Sequence, residues 1–201
     1  MLLENLLGST TKVKILRLLF EYPNRDFTTD EVLKNAFVGR GYAGKCLKTM
    51  LGSGVLVAKK IRRERRYSLN KGGCYFSELK ELFRKERERY HGLSYLHRGL
   101  VADIGERLDR ETVILFGSVA AGTATPESDV DLLIISDRKQ FVHKACKSIG
   151  MKYRIAVQPV VMNGPEIEKR IKEGSMFLRN IGKEKMFIRG DEALQESIER
   201  A

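Results

Sequence analysis

Residues 112–136, TVILFGSVAAGTATPESDVDLLIIS, constrain the fold more than any other stretch of the chain. Val113-Ile114-Leu115-Phe116 is a continuous apolar run, the pattern of a buried strand. Gly117-Ser118 turns sharply, and Val119-Ala120-Ala121 begins a short helix ending near Gly122. A loop from Thr123 to Ser128, with Pro126 in it, leads to a second strand over residues 129–135. Side chains two apart on a strand share a face. Asp129 and Asp131 therefore project together from the strand start, while residues 132–135 anchor the rest in a core. Two neighbouring carboxylates repel unless a cation satisfies both, and a hard, oxygen-preferring ion such as magnesium fits best. The Gly-Ser turn supplies backbone N–H groups and a hydroxyl at a helix start, a seat for phosphate oxygens. A phosphate seat facing a metal-binding acid pair is the equipment of phosphoryl or nucleotidyl transfer. Singly, a Gly-Ser turn is usually only a turn and a DxD strand a solvated edge. The combination carries the information.

A Gly-Ser turn, ten residues, then DxD resembles the polymerase-beta-type nucleotidyltransferase superfamily in its minimal form, over roughly residues 93–190. The resemblance implies a small mixed sheet flanked by helices. It implies that Gly117 and Ser118 hold the triphosphate of a nucleoside triphosphate, and that Asp129 and Asp131 are the catalytic pair holding Mg²⁺ ions bound to it. Two departures stand out. Active members usually carry a third carboxylate on a later strand, and the next strand predicted here, residues 154–162, contains no acid. Gln158 or Ala156 occupies the place, and an amide neither acts as a base nor ligates magnesium as a carboxylate does. Glu166 and Glu168 follow on the next helix as possible substitutes. Minimal members often carry an arginine just before the second glycine of the motif, where this chain has Ala121. Nucleotide binding survives such losses more easily than catalysis does. The remainder reads as helix 138–149, with His143 at its surface, helix 165–174, Phe177 and Leu178 packing inward, strand 186–188, and a C-terminal helix after Gly190.

The charge lies elsewhere. The chain of 201 residues has net charge +11, and residues 1–110 hold 23 Lys/Arg against 13 Asp/Glu. A positive field confined to one half suggests a polyanion partner for that half, against the plainer reading of a basic but idle surface. Residues 9–21 predict a helix with Ile15, Leu16, Leu19 and Phe20 on one face. Thr28 and Glu31 have capping-box spacing for a second helix reaching about Phe37. A third, 40–51, sets Ala43, Cys46, Leu47, Met50 and Leu51 inward and Gly41, Gly44, Lys45 and Lys48 outward, with Arg40 near its start. Two short strand-like pieces, 55–57 and 67–69, flank a flexible basic tip, KKIRRERR at 59–66.

Three helices and an arginine-tipped hairpin resemble a winged helix-turn-helix domain, over roughly residues 5–70. The resemblance implies double-stranded DNA as partner, with helix 40–51 in the major groove and the hairpin on backbone or minor groove. Arg40, Lys45, Lys48, Arg62, Arg63, Arg65 and Arg66 are the candidate DNA contacts. Winged helices also serve as protein-interaction modules.

The expected organisation is α+β: a winged helix at 1–70, a helical connector at 71–92 and a minimal nucleotidyltransferase domain at 93–201. A break is expected at Gly92, and a homodimer would suit a two-fold operator. Three scattered cysteines without a CxxC pair speak against a disulfide scaffold and a zinc site. No apolar run is long enough to span a bilayer, and the start does not read as a signal peptide, so a cytoplasmic protein is expected. The leading function is transfer of a nucleoside monophosphate from an NTP, most often ATP in such families, to a hydroxyl. Minimal members include antitoxins that nucleotidylate a partner toxin, which makes a protein acceptor credible. The alternatives are a transcriptional regulator whose degenerate transferase domain senses nucleotide or dimerises, and an RNA-modifying enzyme gripping RNA with its basic half.

Overall fold

The computed structural model describes residues 2–90, 92–125, 128–183, 185–190 and 192–199. Pro126 in the predicted loop lies outside them. The chain forms two compact units, Leu2–Tyr90 and His91–Ala201.

The first unit runs α1 (Leu2–Leu7), α2 (Thr10–Glu21), β1 (Phe27–Thr28), α3 (Thr29–Asn35), α4 (Arg40–Gly52), β2 (Leu56–Ile61), β3 (Glu64–Leu69) and α5 (Phe76–Arg89). The Ser9 hydroxyl caps α2 by accepting the Lys12 N–H. Thr28 and Glu31 close the predicted capping box: Thr28 Oγ1 accepts from the Glu31 N–H at 3.2 Å, and Glu31 accepts from the Thr28 N–H at 2.8 Å. α2 is the central helix, with Val13, Ile15, Leu18 and Leu19 fully buried, each contributing about 1.5–3 kcal/mol of apolar burial. The helix expected as a connector is α5, and it packs into this unit. Phe83 and Phe76 stack on Phe20 of α2, with centroids 5.0 and 6.0 Å away. Beside them the buried Arg17 guanidinium donates to Glu86 of α5 and to Glu4 of α1, both at 2.8 Å.

The three strands pair antiparallel in the order β1-β3-β2. The hairpin is longer than the sequence pattern suggested. Its ladder runs from Leu56↔Leu69 to Ile61↔Glu64, leaving only Arg62 and Arg63 in the turn. Backbone pairing tolerates the charge because only the hairpin's base, at Leu56, Tyr67 and Leu69, enters the core. Arg62 sits at φ +56, a position glycine adopts with less strain.

The second unit contains α6 (Tyr95–Arg107), β4 (Thr112–Phe116), α7 (Gly117–Ala120), β5 (Val130–Ile135), α8 (Lys139–Tyr153), β6 (Val157–Met162), α9 (Gly164–Lys172), α10 (Met176–Lys183), β7 (Met186–Arg189) and α11 (Glu192–Glu199). Its mixed sheet has the order β6-β5-β4-β7, with β5 and β6 parallel and the other pairs antiparallel. Ile114, Leu133 and Met162 face one way and pack with Ile167, Leu178, Ile181 and Ile198 of α9, α10 and α11. Alternation sends Val113, Leu115, Leu132 and Ile134 to the opposite face, where α6 and α8 lie. Those two helices close tightly because Gly99 leaves room for the Tyr153 ring. Strand β6 starts at Val157, three residues later than expected. Arg154 takes the left-handed conformation (φ +58) as the C-cap of α8, and the Ile155 N–H returns to the Gly150 carbonyl at 3.1 Å.

Candidate active site

The two Asp side chains stand where β5 begins, beside the turn that ends β4. Strand register aligns Phe116 with Asp131 and Asp131 with Gln158, so the three share one row across β4, β5 and β6. Helices α9, α10 and α11 pack on this face over Ile114, Leu133 and Met162, farther along the strands. Phe177 of α10 meets Phe116 edge-on, with centroids 5.9 Å apart. Beyond it, Asp129 is exposed and Asp131 half-buried.

Gly117 is required twice over. Its φ is +73, and a Cβ there would collide with Asp131 Oδ2. The turn and the carboxylate therefore touch only because no side chain intervenes. Helix α7 is one turn long, so the N–H groups at its start have no carbonyl four residues back. The Ser118 carbonyl accepts the Thr123 N–H at 3.0 Å. Ser128 Oγ accepts the Thr125 N–H at 2.9 Å and the Ser128 N–H returns to the Thr125 carbonyl at 3.1 Å, which ties the loop just before Asp129. The backbones of Gly122 and Gly92 approach so closely that a Cβ on Gly92 would sit 3.1 Å from the Gly122 Cα.

Electrostatically the pair is unbalanced. Burial, and then the charge of Asp129, hold the Asp131 carboxyl above its ordinary value. Gln158 Nε2 donates to Asp129 Oδ2 at 3.3 Å, the only described hydrogen bond to either carboxylate. Among the described residues no cluster of three or more His, Cys, Asp or Glu side chains surrounds a metal position. Two carboxylates nonetheless fit magnesium, which takes one or two protein carboxylates and completes its shell with phosphate oxygens and water.

The structure puts Gln158, and not Ala156, opposite Asp131. Glu166 is no substitute carboxylate. It follows the far end of β6, which lies four residues and roughly 13 Å along the strand from Gln158. There it accepts from the Asn163 N–H at 2.8 Å and pairs with Lys139 at 3.0 Å. Glu168 is exposed on the same helix. His143 is exposed on α8. Sequence reasoning missed the Phe116–Phe177 edge and the Ser128 brace, neither of which has a local signature.

In the first unit, Lys45 and Lys48 lie on the exposed face of α4, and Arg62, Arg63 and Arg65 project from the hairpin without an ion pair among the described residues. Arg40 is exposed and pairs with Asp30 at 2.6 Å. Arg66 differs from the other arginines of the hairpin. It is half-buried and donates to Asp26 at 3.0 Å and Glu31 at 3.3 Å, bracing β3 against β1 and α3. Lys59 shares Asp26 at 2.6 Å.

A family model described as "Nucleotidyltransferase domain" matches residues 97–183, which include both Asp residues, the Gly-Ser turn and Gln158. Two proteins of Methanocaldococcus jannaschii, each named "putative protein adenylyltransferase" (MJ0604 and MJ0141), are similar to part of the chain. The first is 36% identical over 70 residues, 34% of this chain and 68% of the relative. The second is 40% identical over 62 residues, 28% of this chain and 61% of the relative. No solved structure matches the chain. No helix among the described residues is long and apolar enough to cross a membrane. By the family match and the relative of which it covers more than two thirds, the chain belongs to the nucleotidyltransferase domain family.

Proposed function

We propose that the second unit transfers a nucleoside monophosphate, AMP from ATP, to a hydroxyl of a protein acceptor. The observation that carries this reading is the Asp131 carboxylate lying directly against Gly117, with Asp129 beside it. A phosphate on the Gly117-Ser118 turn then meets the acid pair. Asp129 and Asp131 would hold magnesium, which when bound neutralises the charge that develops on the phosphates. The acceptor oxygen attacks the α-phosphorus, the bond to the bridging oxygen breaks, and pyrophosphate leaves with that electron pair. Gln158 has no basic site for the hydroxyl proton, which passes to water. The names of the two relatives support a protein acceptor.

Gln158 favours one further reading: a domain that binds nucleotide and regulates without turnover. Incubation with ATP labelled at the α-phosphate separates the two. Label in acid-stable bonds to protein, lost in Asp129→Ala, supports transfer; nucleotide binding without label supports the regulator.

For the first unit we propose a winged-helix role on double-stranded DNA. It carries 20 Lys/Arg against 10 Asp/Glu between residues 2 and 90, and the basic groups of α4 and of the hairpin turn are exposed. Gel shifts with duplex DNA against structured RNA test it. A preference for RNA would replace this reading with the RNA-modifying one.

A further inference from the structure

The outer edge of β6 and the neighbouring face of α8 enclose a groove of about 570 Å³ that reaches Gln158, the residue bonded to Asp129. Its chemistry is one-sided. His143, Lys147 and Met151 follow one another at four-residue spacing along α8, and Arg154 caps the same helix. No carboxylate lines the groove. The whole of α8 carries four lysines and no acid. Lys139 and Lys152 are spent on Glu166 and Asp103, whereas Lys147 and Arg154 make no ion pair among the described residues.

The floor is apolar. Val157 and Pro159 turn their side chains to this face, and Met151 is 66% exposed at its rim. Cys146 also lines it, but burial pushes its thiol up to about 11, so it is a wall and not a nucleophile. Strand β6 ends the sheet. Its even-numbered residues bond to β5, as the Val130 N–H to Ala156 and the Ser136 N–H to Met162 carbonyl bonds show, so Val157 and Val161 direct N–H and C=O groups to the open edge. Pro159, with no N–H, stands at an outward position that only an edge strand tolerates.

We infer that this groove docks an extended acidic segment of the acceptor protein, paired along the β6 edge with its carboxylates on Lys147 and Arg154, so that a hydroxyl-bearing residue reaches the acid pair past Gln158. The inference rests on the protein-acceptor reading. A peptide is favoured over nucleic acid because the groove combines edge backbone groups, an apolar floor and cations, the set that strand addition uses.

The test is fluorescence anisotropy on the full chain with a labelled Glu-Glu-Leu-Tyr-Glu-Glu peptide, its lysine-substituted counterpart and a single-stranded RNA oligonucleotide. The acidic peptide is expected to bind in a salt-sensitive manner. Lys147→Glu with Arg154→Gly should weaken it about tenfold. Glycine suits the left-handed conformation at 154, so the variant should remain folded. Lys172→Glu, at an exposed site of α9 outside the groove, should leave the peptide affinity unchanged. Absence of peptide binding, equal binding by the groove variant, or RNA binding that the groove variant alone loses would each overturn the inference. No nucleotide is present, so failure of transfer would be seen separately, in the labelling assay.

Discussion

Gln158 donates its side-chain amide to Asp129 at 3.3 Å, from the strand position directly opposite Asp131. An amide therefore stands where a third acid would complete the proposed metal and base set. Replacing it should raise activity. Gln158→Asp is expected to increase single-turnover label transfer from ATP at least tenfold, within the 10²–10⁴-fold reach of a positioned base. Wild-type transfer already matching the variant would mean that another group serves.

The acid pair should cost the unliganded protein stability. The Asp131 carboxyl is held above its ordinary value, so the folded state binds more protons there than the unfolded chain does. That contribution is fully present below the unfolded value of 3.8 and is lost as pH rises through the folded one. Asp131→Asn should accordingly melt higher than wild type at pH 7 without ligand, with the gap closing near pH 3. A lower melting temperature at pH 7 would contradict this.

His97 gives the opposite pH dependence. It is buried on α6 with Nε2 unpartnered among the described residues, and burial lowers its pKa from the ordinary 6.5. The unfolded chain binds the extra proton, so stability is full above pH 6.5 and falls as pH drops through the folded value. His97→Phe should flatten the melting curve between pH 5 and 7.

The buried guanidinium of Arg17 joins α1, α2 and α5 through Glu4 and Glu86. Arg17→Met strands two carboxylates and should destabilise the first unit by about 3–5 kcal/mol in urea unfolding. A loss under about 1 kcal/mol would show that the carboxylates reach water.

The hairpin arginines should divide by role. Arg62→Ala, Arg63→Ala and Arg65→Ala together should flatten the salt dependence of duplex DNA binding without lowering the melting temperature. Arg66→Ala should lower the melting temperature, because the half-buried contact that braces β3 against Asp26 and Glu31 is lost. An unchanged salt slope in the triple variant would take the hairpin off the phosphates.

Local signals were legible in the sequence. The Thr28–Glu31 box, the apolar run at 113–116 and the paired Asp129 and Asp131 each depend on residues a few positions apart, and the α+β class follows from them. What was not legible depends on distant partners. The strand character of residues 59–61 and 64–66 comes from pairing across the hairpin, since their charge carries no alternation. The place of α5 is decided by Phe20 and Arg17, sixty-odd residues away. Helix α1 is six residues long, too short to show a helical period of its own. Glu166 is eligible by its position in the chain, and only the parallel register of β5 and β6 puts it at the wrong end of the sheet.

Gly117, Ser118, Asp129 and Asp131 form the proposed metal–nucleotide site, and the melting temperature with ATP, with and without Mg²⁺, reports on it. At about a hundred times its Kd, ATP should stabilise by ~2.7 kcal/mol, a rise of several degrees that requires Mg²⁺ and vanishes in Asp129→Ala. No rise with any nucleoside triphosphate, or a rise that Asp129→Ala retains, would rule out a metal–nucleotide site at these residues.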